Sequence, residues 1–205
     1  MNRFLLTLAV VGVLGGCSKP EEKTMAAPSS ELVTATNTPA PPSPKPSPIN
    51  LLLEKQTLLE AIDYVKPEMK DTFNSFPEAA VFLATWANKH NMHWKDLAPL
   101  QETRYGKIMK DADAERGKRV CTGGAIVEIE VDKSAGFPIY HAGIVDNNYR
   151  VTRVMAVGST GELVAGSRVN QFCGVVIGKT GFQNAGGGTT SAVYAMGMFN
   201  LPENK

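Results

Sequence analysis

Apolar and polar positions alternate along this chain with two different periods, and the change from one to the other divides it. Leu58, Ile62, Val65 and Met69 recur at intervals of four, three and four, one face of an α-helix. Pro67 should end or bend that helix near Lys66. Pro77 opens a second predicted helix that runs to about Asn88, with Phe82, Leu83 and Trp86 on its apolar side. Trp94 to Leu97 adds a turn before Pro99, and Glu102 to Lys110 a last short helix before the polar run Lys110 to Lys118. After Gly117 the period shortens. Val127, Ile129 and Val131 alternate with Glu128 and Glu130, the pattern of a half-buried strand with the three apolar residues inward. Further strands are predicted over Ile139 to Val145, Tyr149 to Val157, Val169 to Ile177 and Ala192 to Phe199. Asp146-Asn147-Asn148 and Gly158-Ser159-Thr160-Gly161 punctuate them, and a glycine-rich connection, Gly178 to Thr190, joins the last two. The expected fold class is α+β.

The first residues carry a different message. Met1-Asn2-Arg3 is a short positive start, and Phe4 to Leu14 is an apolar run of signal-peptide length, too short to span a bilayer. Leu14-Gly15-Gly16-Cys17 follows and resembles the lipobox of bacterial lipoproteins. The resemblance implies a diacylglycerol thioether on Cys17, cleavage before it, and a further acyl chain on its amine. Only sulfur gives that thioether, and small residues let a peptidase approach the backbone. Several acyl chains, at about 0.8 kcal/mol per buried methylene, anchor stably. Ser18, as a residue other than Asp, implies sorting to the outer membrane, facing the periplasm. The other reading is an ordinary secretory signal in which Cys17 is incidental.

Residues 18–48 are rich in Pro, Ser, Thr and Ala and nearly lack large apolar groups. Pro39, Pro41, Pro42, Pro44, Pro46 and Pro48 mark a polyproline-II stretch. At about 3.1 Å per residue, such a tether reaches on the order of 100 Å. The expected organisation is a signal peptide over 1–16, lipidated Cys17 and a disordered Pro-rich linker over 17–48, a helical segment over 49–116 and a β domain over 117–205. The whole chain carries 21 Lys plus Arg against 20 Asp plus Glu. From residue 49 onward the two signs are equal in number, without the basic patch of a nucleic-acid binder.

Five short strands, the first broken by Gly123-Gly124, with entries at Gly117-Lys118-Arg119-Val120-Cys121 and Gly166-Ser167-Arg168-Val169, resemble bacterial OB-fold families. That resemblance implies a small five-stranded OB-like β-barrel over about 117–200. In an exported chain Cys121 and Cys173 are a disulfide candidate, the alternative being two buried thiols. Strands one and four are neighbours in an OB-fold. Cys121 shares parity with Val127, Ile129 and Val131, and Cys173 with Val169, Val175 and Ile177, so the two are expected to face inward and meet. A bulge at Gly123-Gly124 would flip that parity.

Searching for chemistry narrows the function. Gly178-Lys179-Thr180 is similar to the end of a P-loop, but Cys173 stands where the first glycine is needed and no helix is predicted after it. His90 and His93 lie three apart without a third ligand, and are expected near a helix C-terminus; no metal or other cofactor is expected. There is no Gly-x-Ser-x-Gly elbow and no His-Glu-x-x-His, so no catalytic residue is assigned. Glu128 with Glu130, and Asp111, Asp113 and Glu115, read as solvated faces. OB-folds use aromatic residues as stacking platforms, and that analogy places a ligand site at Tyr149, Arg150 and Arg153 of the third strand with Lys179 and Phe182 of the last loop. The sequence therefore predicts a lipid-anchored envelope lipoprotein, joined to the membrane by its anchor, with a non-catalytic binding module for an envelope protein or a small ligand. Nucleic acid is not an expected partner. The alternative is a structural subunit of an envelope assembly, docking through its helical segment.

Overall fold

In the computed structural model, which describes residues 46–184 and 186–200, the chain turns helical just as the prolines end. The expected signal segment, Cys17 and nearly all of the Pro-rich tether lie outside the described residues. Helix α1 (Pro48–Leu53) starts on Pro48, and the Ser47 hydroxyl accepts from the Asn50 N–H at 3.4 Å. Helix α2 (Leu58–Val65) opens on a capping box: the Glu60 N–H donates to Thr57 Oγ1 and the Thr57 N–H to Glu60 Oε2, each at 3.2 Å. Its predicted apolar face is buried at Leu58, Ile62 and Val65, and Pro67 turns its end into a 3-10 turn over Lys66–Glu68.

Strand β1 (Thr72–Phe73) is an element that periodicity does not announce. Helix α3 (Glu78–Lys89) follows, with Pro77 as its N-cap. It buries Leu83 and Trp86, each worth about 1.5–3 kcal/mol of hydrophobic stabilisation. The Trp86 indole N–H donates to Lys55 O at 2.9 Å, which ties α3 to the loop before α2. Helices α4 (Trp94–Leu97) and α5 (Tyr105–Lys110) fall within the predicted turns. Helix α6 (Ala112–Glu115) lies inside the run expected to be a solvated turn. Asp111 Oδ1 caps it from the Ala114 N–H at 3.1 Å, and Ala112 is buried.

The remaining elements are strands: β2 (Arg119–Asp132), β3 (Ile139–Val145), β4 (Val151–Ala156), β5 (Arg168–Gln183) and β6 (Thr189–Phe199). The fold is α+β with a mixed sheet of six strands in the order β1-β5-β2-β3-β4-β6, where five strands were expected. Strand β5 pairs with β2 from Arg168 to Val175 and with β6 from Phe172 to Gln183. The β1–β5 and β4–β6 pairs are parallel and the others antiparallel.

The sheet is apolar on both faces. Met155, Val175, Ile177 and Met196 join Leu58, Leu83 and Trp86 of the helices in one cluster. Val154, Val176, Val193 and Ala195 point the other way and join Phe172 and Ile144 in a second, sealed by Ile108 and Ala112 of α5 and α6. Doubly buried strands explain the near-continuous apolar runs of β5 and β6. The apolar faces of α2 and α3 are thus spent on the sheet, so helices and strands share one core.

Two expectations about β2 are overturned. Val127 and Val131 are 54% and 50% exposed rather than inward. A register shift between Ile126 and Glu128 inserts one extra residue and exchanges the faces beyond it. Cys121 and Cys173 are disulfide-bonded, directly opposite each other across β2 and β5. They share a side as expected, but it is the helix-facing side: Cys173 is buried in the first cluster and Cys121 is exposed. A second irregularity between Thr122 and Gly124 puts its extra residue on β5, so Val169 joins the second cluster although it was expected to share a face with Cys173, while on β2 the change of face comes only at Val127.

The expected glycine-rich loop from Gly178 to Thr190 is mostly strand, since β5 continues to Gln183 and β6 begins at Thr189. Its glycines answer crowding rather than looseness. A Cβ on Gly178 would stand 2.8 Å from Asp71 Oδ1, and one on Gly181 would stand 2.7 Å from Phe73 Cδ2. Both contacts are made by the β1 segment.

Candidate functional site

On the helix-facing side of the sheet one row of partners crosses five strands: Glu128, Gly143, Arg153, Tyr194 and Gly178. Glycine at 143 leaves room between Glu128 and Arg153, and Arg153 Nη1 pairs with Glu128 Oε1 across the gap. The Arg153 guanidinium also lies over the face of Phe182, with Cζ 5.0 Å from the ring centroid. The next row holds Glu130, His141 and Met155.

The loop after β1 closes over these rows. Asn74 takes a left-handed backbone (φ 49°), which asparagine tolerates, and its N–H donates to Gly181 O at 2.9 Å. The turn returns Phe76 onto His141, with ring centroids 3.8 Å apart and planes 26° from parallel. Between this loop, the end of β5 and strands β4 and β6 lies a cleft of about 240 Å³, lined by Asn74, Ser75, Phe76, Arg153, Thr180, Phe182 and Tyr194.

Two polar atoms at this place have no protein partner. Tyr194 is only 2% exposed, and its hydroxyl makes no hydrogen bond. Burial pushes its phenol far up, with Arg153 opposing more weakly, so the O–H stays protonated and remains a donor. His141 Nδ1 is likewise buried and unbonded. Burial holds the imidazole below its ordinary value; Asp132 and Glu130 oppose this and Arg153 adds to it. Native structures rarely leave such groups unmatched, because a buried unsatisfied hydroxyl costs about 1–3 kcal/mol.

The five residues expected at a ligand site separate. Arg153 and Phe182 meet and line the cleft. Lys179 is not on a mobile loop; it pairs with Val193 in the ladder, and its Nζ lies 3.6 Å from Asp71 Oδ2, in a neighbouring depression. Tyr149 precedes β4 rather than starting it, at φ 59° in the turn after β3, and is 89% exposed. Arg150 is engaged locally: its Nε donates to Asp146 Oδ2 at 2.7 Å and its Cζ lies 5.3 Å from the Tyr105 ring centroid. Tyr194, Phe76, His141 and Glu128 were not expected there. For Tyr194 a signal existed, since a phenol inside the apolar run Ala192–Met196 must be buried and therefore needs a partner.

His90 stacks on Trp86 at the C-cap of α3, as a helix-end histidine would, whereas His93 is the N-cap of α4, where its N–H donates to Asp96 Oδ2 at 2.7 Å. Among the described residues no group of three or more His, Cys, Asp or Glu could hold a metal ion. No helix among them is long and apolar enough to cross a membrane.

No family model and no curated protein matches the chain. Among solved structures, the mitochondrial single-stranded DNA binding protein Rim1 from S. cerevisiae is similar over 43% of this chain and 99% of its own, at 10% identity and a TM-score of 0.28. At that score the likeness carries no argument about fold or ligand.

Proposed function

We propose that this chain is a lipid-anchored protein of the bacterial cell envelope, facing the periplasm from the outer membrane, whose folded part is a non-catalytic OB-like binding module. The cleft between Arg153 and Tyr194 is its ligand site. The buried Tyr194 hydroxyl carries the reading: a donor without a protein partner at the wall of an open cleft is a place for a ligand acceptor. Arg153 is held by Glu128 and the phenol stays protonated, an arrangement suited to holding a molecule rather than transforming it.

The OB-like reading is supported by the pairings. They run β2-β3-β4-β6-β5 and meet β2 again, with the β4–β6 step parallel. Export is supported by Leu14-Gly15-Gly16-Cys17 and by the bonded cysteine pair, since such bonds persist in oxidising compartments. Docking through the helical segment has less support, because α2 and α3 already bury their apolar faces against the sheet.

Two measurements test the proposal. Cys17→Ser should abolish incorporation of labelled palmitate and move the protein out of the membrane fraction; unchanged labelling refutes the anchor. A photo-crosslinking residue at Phe182 should capture a ligand or partner in intact cells, with capture lost in Arg153→Gln. Absence of any adduct refutes the binding site.

A further inference from the structure

We infer that the cleft takes a carboxylate borne on an apolar ring or side chain, held jointly by Arg153 and Tyr194. This deepens the proposed ligand site and rests on it. Asn74 and Ser75 at the rim can donate or accept, whereas the two polar residues on the strand wall, Arg153 and Tyr194, offer donors. Arg153 has N–H donors and no acceptor, and Tyr194 offers an unused O–H. The Thr180 hydroxyl is already shared with Thr72 Oγ1 at 3.2 Å. A ligand that satisfies such a wall must bring acceptor oxygens.

Arg153 and Tyr194 are direct cross-strand partners on β4 and β6, both line the cleft, and the guanidinium is near enough to act electrostatically on the phenol, which makes the pair the place for one shared acceptor group. A carboxylate has two oxygens, one for the guanidinium fork and one for the phenol. Glu128 does not block this. A guanidinium carries five N–H donors in a plane and bridges two carboxylates, as Arg116 does here between Asp71 and Asp113. The body of the ligand is set by Phe76 and Phe182, which supply apolar walls. At about 240 Å³ the space lies below the roughly 300–1,000 Å³ of drug-sized ligand sites, so it admits one ring or one side chain. That chemistry is shared by a free aryl acid and by a peptide chain ending in an aromatic residue.

The test is calorimetric titration of the full chain in detergent with 3-phenylpropionate, its primary amide, and a tetrapeptide ending in phenylalanine as free acid or amide. The acids should bind at least about tenfold more tightly than their amides. Arg153→Gln should erase that preference. Tyr194→Phe should weaken the acids at least about tenfold, the value of one hydrogen bond to a charged acceptor. Tighter binding of the peptide acid than of phenylpropionate assigns the site to a chain terminus, and the reverse order assigns it to a free acid. If amides bind as well as acids, with binding lost in Arg153→Gln, the carboxylate is refuted while the ligand site stands. If none of the four binds, the inference is overturned, and whether the photo-crosslink at Phe182 survives decides the fate of the site separately. Thermal melting of each variant establishes that it is folded.

Discussion

Reducing the Cys121–Cys173 bond should strip stability from the fold by an amount that chain statistics set. The two cysteines are 52 residues apart. Closing a loop of that length lowers unfolded-chain entropy enough to contribute about 4 kcal/mol at 25 °C. The native sheet does not need the bond for its register: Arg119 faces Val175 on one side of it and Thr122 faces Phe172 on the other, held by backbone hydrogen bonds. The effect therefore falls on the unfolded ensemble. For a domain of this size, about 4 kcal/mol corresponds to a drop in Tm of roughly 8–16 °C. Urea unfolding of oxidised protein, of protein held in reductant, and of Cys121→Ala/Cys173→Ala should show the midpoint fall. The denaturant slope should rise, because the released chain exposes more surface on unfolding. Oxidised and reduced protein that unfold at the same midpoint, with thiols verified free, would refute the reasoning and remove the stabilising role of the bond.

Three other outcomes are expected. Gly197→Ala places a Cβ 2.1 Å from Cys173 O, where backbone rather than a movable side chain is met, and should destabilise by about 3 kcal/mol in chemical denaturation. Tyr194→Phe removes a buried hydroxyl that has no partner and should stabilise the ligand-free protein by about 1 kcal/mol, opposite in sign to its effect on ligand binding. Lowering the pH from 7.5 to 5.5 should reduce the urea midpoint, because burial holds His141 below its ordinary 6.5, so the unfolded chain binds the proton first and stability is lost as pH falls through that value. His141→Phe should flatten this step. Glu60 and Asp132, held low chiefly by the backbone N–H groups of Gln56 and Ser134, lose their contribution only as pH falls below the usual carboxylate range.

Much of the fold was legible because its signals are local. The spacing of Leu58, Ile62 and Val65 belongs to one helix whatever it packs on, and Ile139–Val145 is bounded on its later side by the turn residues Asp146-Asn147-Asn148. The failures are non-local. Which face of β2 is inward depends on a single inserted residue at Val127, and nothing in Ile126-Val127-Glu128 distinguishes a bulge from plain alternation. Glycines at 178 and 181 read as loop because their actual reason, the approach of Asp71 and Phe73, comes from a segment about a hundred residues earlier. Helix α6 was missed because its cap and its single buried face, Asp111 and Ala112, sit in a run of charges.

The candidate site divides along the same line, and the division bears on how it works. Arg153 and Phe182 were reached by analogy with OB-fold ligand sites, Arg153 on a strand the pattern reveals and Phe182 on a stretch expected to be loop that is the end of β5. Their setting was not: His141 and Tyr194 lie on strands the pattern does reveal, but it is the cross-strand pairing and the return of the loop carrying Phe76 that bring them together. A sheet buried on both faces leaves little room for polar side chains. The Glu128–Arg153–Tyr194 row is admitted only where the helices give way to the Asn74–Phe76 loop and where Gly143 and Gly178 withhold side chains on either side. A ligand entering there meets strands on one wall and a short loop on the other. Its recognition is accordingly set by a rigid floor of cross-strand partners and a cover held to that floor by one ring stack and the Asn74–Gly181 hydrogen bond. Substitutions in the floor should therefore change which ligand is chosen, and those in the cover how long it stays.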